Sequence, residues 1–170
     1  MRLTLKSCKA MTELTTLHID KQRHKFSAAH FTIFSANERE RLHGHNYAVS
    51  ARFVAPMGDN GFAADYNVYK SRLSILCEEL DEYMLLAGDS PYQRIEEEGD
   101  YYRVYFDRDE MLFLKSDTRV LPIRNATVEE FSRYLLGRLL ALSAADDLVE
   151  VELSVASGPG QRASSLWRRD

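Results

Sequence analysis

The order in which apolar periodicities change along this chain limits its fold more than any other feature. Tyr47, Val49, Ala51 and Phe53 alternate with Ala48, Ser50 and Arg52, and short polar and apolar residues interleave from Leu17 to Ala29. That spacing predicts two half-buried strands. After Asp65 the period changes. Tyr69, Leu73, Leu76, Leu80 and Tyr83 recur at intervals of four and three, which predicts an amphipathic helix from about Asn67 to Met84, capped by Asp65. Val128, Phe131, Leu135, Leu139 and Leu142 predict a second helix, started by Asn125 or Thr127, with Glu129 and Glu130 favourably placed in its first turn. Between the helices, 100–106 and 111–115 flank Asp107–Glu110 and read as an extra hairpin. A final alternation runs from Val149 to Ala156. Strands adjacent in sequence, with helices not regularly interleaved, point to an α+β fold in which a sheet carries two helices on one face.

At 170 residues the chain fits one domain with a core of its own. A net charge of -4 argues against a nucleic-acid partner, whose binders usually carry a basic surplus. No apolar run has the length of a membrane span or of a signal-peptide core, so a cytoplasmic protein is expected. The 2 cysteines, Cys8 and Cys77, have no metal-binding spacing and read as free thiols.

The chain has only 5 histidines, and His30, His43 and His45 lie close together in sequence. In His43-Gly44-His45 an extended strand sends both imidazoles to one face. With His30 they form a three-nitrogen set of the kind that holds zinc and leaves a position open for chemistry. Two half-exposed polar side chains on a strand would give the same pattern without a metal. His18 and His24 lie on a more polar stretch and read as surface or edge residues, although His24 shares strand parity with His30.

Phe26-Ser-Ala-Ala-His30, Leu42-His-Gly-His-Asn-Tyr47, Asp65-Tyr66, Leu80-Asp81, Thr127-Val-Glu129 and Pro159-Gly-Gln-Arg-Ala163 occur in this order. Together they resemble the 6-pyruvoyltetrahydropterin synthase family, which includes the 6-carboxytetrahydropterin synthases. The resemblance implies the tunnelling fold: a four-stranded antiparallel sheet with two helices, here with residues 1–16 as an extension and an insertion at about 88–120. It also implies a homohexamer of two stacked trimers with sites between subunits. By the same resemblance His30, His43 and His45 match zinc ligands, and Thr127 and Glu129 match residues that hold a pterin ring. A carboxylate suits the amino-pyrimidine edge of such a ring. As a residue alone, Glu129 equally fits a helix N-terminal carboxylate.

Three departures from the family pattern shape the expected chemistry. The loop before His43 carries no cysteine, and its Arg39-Glu40-Arg41-Leu42-His43 resembles a subgroup with glutamate there, which makes Glu40 the candidate base. The Asp-His pair after the first helix appears as Asp81-Glu82, so a carboxylate stands in for a proton-shuttling imidazole. Val155–Pro159 contains no carboxylate where the family anchors the pterin, a loss of about 2 kcal/mol of binding. The resemblance therefore implies a zinc-dependent lyase on a dihydropterin such as 7,8-dihydroneopterin triphosphate, with Glu40, Asp81 and Glu82 as catalytic carboxylates. Arg39, Arg41 and Arg162 are candidate triphosphate partners, or plain surface charge. The alternative is a homologue that binds a pterin- or purine-like ligand without turning it over.

Overall fold

The computed structural model describes residues 13–144 and 146–170. Its centre is the antiparallel pair β1 (Leu14–His30) and β4 (His43–Pro56), which runs from Leu14 opposite Pro56 to His30 opposite His43 with one break in register between Asp20 and Lys25. β10 (Glu150–Gly158) pairs with β4, and β11 (Gln161–Arg168) pairs with β10, both antiparallel. These four strands match the expected sheet, but two more extend it. β5 (Tyr83–Ala87) and β9 (Thr118–Leu121) add as parallel strands beyond β1, giving the order β11-β10-β4-β1-β5-β9.

The added strand β5 explains why the first helix is shorter than its periodicity indicated. Met84–Ala87 is buried throughout, and an unbroken apolar run is common to helix interiors and strands covered on both faces. Helix α1 in fact spans Tyr66–Glu78, with the Asp65 carboxylate accepting from the Asn67 amide at 2.8 Å. Glu82, at φ 65, then turns the chain, and its amide donates to the Ser27 carbonyl at 2.7 Å. Helix α2 spans Val128–Leu142 behind Thr127, whose hydroxyl accepts from the Glu130 amide at 3.4 Å.

Both helices cover one face of the sheet. Leu73 and Leu76 of α1 and Phe131, Leu135 and Leu139 of α2 meet Phe26, Tyr47, Phe53, Val151 and Leu153 from the strands. Each such side chain contributes on the order of 1.5–3 kcal/mol through burial. Phe26 and Tyr47 stack at 4.9 Å, and Phe131 meets Tyr47 edge-on at 5.3 Å.

The expected hairpin between the helices is a three-stranded sheet, β6 (Gln93–Glu98), β7 (Tyr101–Phe106) and β8 (Asp109–Leu114). It sets Val104 and Phe106 against Phe31, Ile33, Met84 and Leu86 in a second apolar cluster. The charged connection between β1 and β4 also holds a short hairpin, β2 (Ile33–Ser35) and β3 (Glu38–Arg39).

His24 is not the surface residue its neighbours indicated. It is fully buried. Asp20 lies opposite Ser50 but Lys25 lies opposite Ala48, so three extra residues bulge out of β1 and reverse its parity. Leu17 and Ile19 point inward before the bulge, and His24, Phe26, Ala28 and His30 after it. Cys77 is a buried free thiol, pushed up to about 12 by burial and by the nearby Asp81 and Glu78. Cys8 and residues 1–12 of the expected extension lie outside the described residues, while 14–16 belong to β1. Among the described residues, no helix is long and apolar enough to cross a membrane.

Candidate metal centre

Strand pairing alone brings the three histidines together. His30 ends β1 directly opposite His43, the first residue of β4, and His45 follows on the same face as the buried Tyr47. One ring nitrogen from each lies within 4.8 Å of the others. His43 Nε2 and His45 Nε2 are 3.0 Å apart.

Backbone carbonyls decide which nitrogens point inward. His30 Nδ1 lies 2.7 Å from the Ala126 carbonyl, and His43 Nδ1 lies 2.8 Å from the Arg41 carbonyl. A carbonyl only accepts, so each Nδ1 carries the proton and each Nε2 presents a lone pair. His30 Nε2 is buried without a hydrogen-bond partner among the described residues. Burial, opposed by the Ala126 hydrogen bond and reinforced by His43 and His45, lowers the basicity of His30 and keeps it neutral at pH 7. An orphaned buried lone pair facing two others fits a bound cation, and carbonyls on the outer nitrogens are the usual support for metal-binding imidazoles. The cluster can hold a metal.

Glu40, between β3 and β4, stands at the edge of this cluster. Its Oε2 lies 3.9 Å from His43 Nε2 and accepts from the Thr32 amide at 3.0 Å, while its own amide donates to the Thr32 carbonyl at 2.8 Å. Burial pushes its carboxyl up, but hydrogen bonds from Thr32 and the proximity of His43 and His30 outweigh it, leaving the group below the usual carboxylate range. It is ionised at neutral pH and able to take a proton.

The other candidates separate. Asp81 Oδ1 accepts from the Ser27 amide at 2.6 Å, tying the turn after α1 to β1. Glu82 lines a cavity of about 520 Å³ with Ser27, Ala29, His45, Asn46 and Met84, so it shares a wall with the cluster. Thr127 caps α2, and Glu129 is exposed in its first turn. Arg41 and Arg162 are exposed. Arg39 is not, and its guanidinium is engaged inside the protein.

Some supporting groups had no signal in the sequence. The Ala126 and Arg41 carbonyls and the Thr32 amide are backbone atoms, available in principle anywhere. Asn125, legible only as a cap, instead takes the Ile33 amide on its Oδ1 at 3.0 Å and donates Nδ2 to the Ile33 carbonyl at 2.7 Å. It fastens the Glu40 hairpin to the entry of α2. Tyr47 adds a buried hydroxyl without a partner among the described residues.

The family model for 6-pyruvoyl tetrahydropterin synthase matches residues 19–164. The 6-pyruvoyl tetrahydropterin synthase of Plasmodium vivax is 28% identical, aligning 92% of this chain with 99% of that one at a TM-score of 0.87. A second structure of that protein replaces by alanine a glutamate described as its catalytic residue. The Plasmodium falciparum synthase is 26% identical at a TM-score of 0.85, with the same coverage. A Methanocaldococcus jannaschii protein named "Putative 6-carboxy-5,6,7,8-tetrahydropterin synthase" is 26% identical over 159 residues, 90% of this chain and 94% of that one.

Proposed function

Because this chain belongs to the 6-pyruvoyl tetrahydropterin synthase family, we propose that it is a zinc-dependent lyase acting on the C6 side chain of a dihydropterin such as 7,8-dihydroneopterin triphosphate. The observation that carries this reading is the convergence of His30, His43 and His45 with the ionised Glu40 carboxylate 3.9 Å from His43 Nε2. A proton acceptor beside an open three-nitrogen site is the minimum for removing a proton from carbon next to an oxygen-bearing carbon. When bound, zinc supplies Lewis-acid polarisation of the side-chain oxygens.

The residues divide the work. Glu40 takes the proton, and its two backbone ties to Thr32 keep the carboxylate aimed. Glu82, on the wall of the cavity beside His45, returns a proton to the product. Asp81 acts indirectly, by holding the turn that carries Glu82. Thr127 and Glu129 bind the pterin ring from the start of α2, and neighbouring subunits of a cytoplasmic homohexamer complete the site. The Plasmodium vivax protein with its catalytic glutamate replaced supports a glutamate base in relatives of this fold.

The missing carboxylate in Val155–Pro159 favours a second reading, a zinc-containing homologue that binds a pterin- or purine-like ligand without turning it over. Incubating the purified protein with 7,8-dihydroneopterin triphosphate and following products by mass spectrometry separates the two. A new pterin that disappears with Glu40→Ala supports the lyase. Tight ligand binding with no product, in wild type and variant alike, supports the binding protein.

A further inference from the structure

We propose that Arg39 is a positioning residue through which the inserted sheet β6-β7-β8 sets the geometry of Glu40, so that the insertion is a working part of the active site. The inference rests on the assignment of Glu40 as the base, and concerns what holds it in place.

Arg39 immediately precedes Glu40, yet its side chain faces the insertion. Nη1 donates to the Glu40 carbonyl at 2.9 Å, and Nη2 reaches the Asp109 carboxylate, at the start of β8, at 3.1 Å. The guanidinium also lies over two rings, 5.2 Å from the centre of Phe31 and 5.6 Å from that of Phe106 at the end of β7. Its side chain is only 19% exposed, and its Nε is buried without a partner among the described residues. A long cation held this deep, for a neutral carbonyl and one carboxylate that is itself 63% exposed, is poorly explained as a surface ion pair. It is better explained as a bracket. One planar fork joins the segment that carries the base to β7, β8 and Phe31 just after β1, and lysine, with a single compact ammonium, cannot bridge all of these.

The Glu40 peptide is thereby fixed on every side. Its amide is bound to Thr32, its carbonyl to Arg39, and the hairpin below it to Asn125. Phe106 and Val104 anchor the insertion against Phe31 and Ile33, the residues flanking Thr32. The insertion therefore grips both strands of the small hairpin, one through apolar contact and the other through Arg39. Displacing a base by about 1 Å costs on the order of 100-fold in rate.

The test compares wild type, Arg39→Lys, Glu40→Ala and the double variant as zinc-loaded full-length proteins. It measures kcat and KM on 7,8-dihydroneopterin triphosphate, and amide exchange across residues 31–42. Arg39→Lys is expected to lower kcat about 10- to 100-fold with KM within about threefold, to keep full zinc, and to speed exchange at the Glu40 amide. In the Glu40→Ala background it should add nothing further. Arg39→Lys with wild-type kcat beside an inactive Glu40→Ala overturns the inference, as does unchanged exchange at Glu40. Full activity in Glu40→Ala refutes the base assignment instead, and faster exchange in Arg39→Lys then still upholds the bracket. Asp109→Asn, which leaves the carbonyl bond and the ring contacts, should lower kcat less than threefold; a loss as large as that of Arg39→Lys overturns the role of the ring contacts.

Discussion

Replacing Glu130 with glutamine should weaken the support beneath the histidine cluster by an amount the structure allows to be worked out. Glu130 is 7% exposed and accepts from the Arg124 amide at 2.8 Å, from Arg124 Nη2 at 2.7 Å and from Arg133 Nη2 at 2.8 Å. The Arg133 hydrogen bonds foremost, opposed by burial and aided by Arg124, hold its carboxyl at about 2, against an ordinary 4.5. At about 1.4 kcal/mol per unit, that difference corresponds to roughly 3 kcal/mol of stability. Both guanidinium side chains are more than half exposed, at 72% and 51%, so solvent screening reduces the figure to about 2 kcal/mol. For a chain of this length that is a loss of about 4–8 °C in Tm at pH 7. The sign follows from a folded value below the unfolded one. The contribution is complete above pH 4.5, shrinks as pH falls and is gone near pH 2. Thermal unfolding of wild type and Glu130→Gln across this range should show a gap that closes with acid. A gap under about 0.5 kcal/mol at pH 7, or one that stays constant down to pH 3, would show that Arg124 and Arg133 do not stabilise the fold through the Glu130 carboxylate. Because the same carboxylate fixes the Arg124 amide, two residues before the carbonyl that orients His30, the variant should also bind zinc about tenfold more weakly.

Two buried groups without partners give further tests. Tyr47→Phe removes a hydroxyl that has no hydrogen bond, so stability should stay level or rise by about 1 kcal/mol in chemical denaturation, and a clear loss would show that the hydroxyl has a partner in solution. His24 is buried beside the Lys70 backbone with neither ring nitrogen in a well-formed hydrogen bond, and burial first, then Arg23, lowers its basicity. Its neutral form stabilises the fold above pH 6.5, and that contribution is lost as pH falls toward its lowered folded value. His24→Leu should therefore flatten the stability profile between pH 7 and 5, measured by urea unfolding, and a slope equal to that of wild type would contradict this.

The sequence made legible what depends on regular period. The HxH strand is clear because two residues always return to the same face, and α2 is clear because its stripe, its Thr127 cap and its acidic first turn agree. Where the backbone departs from regularity, the pattern misleads. Three bulged residues between Asp20 and Lys25 turned His24 inward, and no glycine or proline marks them. The first helix ends without a glycine, because Glu82 itself takes the positive φ, so the apolar β5 read as helix. β11 carries no clear period of its own, because Gln161-Arg-Ala-Ser-Ser-Leu-Trp-Arg168 alternates weakly on an exposed edge. The three histidines were readable as a set, whereas the carbonyls that orient them were not, since any backbone carbonyl is a candidate until the chain is folded. Arg39 was readable only as a charge near the loop, and its hold on Phe31, Phe106 and Asp109 exists only in three dimensions.

In the proposed mechanism His30, His43 and His45 hold a metal on which turnover depends. Elemental analysis of wild type and His43→Ala, run on the same samples assayed with 7,8-dihydroneopterin triphosphate, tests it most directly. The account predicts one zinc per chain and a new pterin product in wild type, and both lost in His43→Ala while the variant still folds. Equal zinc in the two proteins, or full turnover by zinc-free His43→Ala, would contradict it.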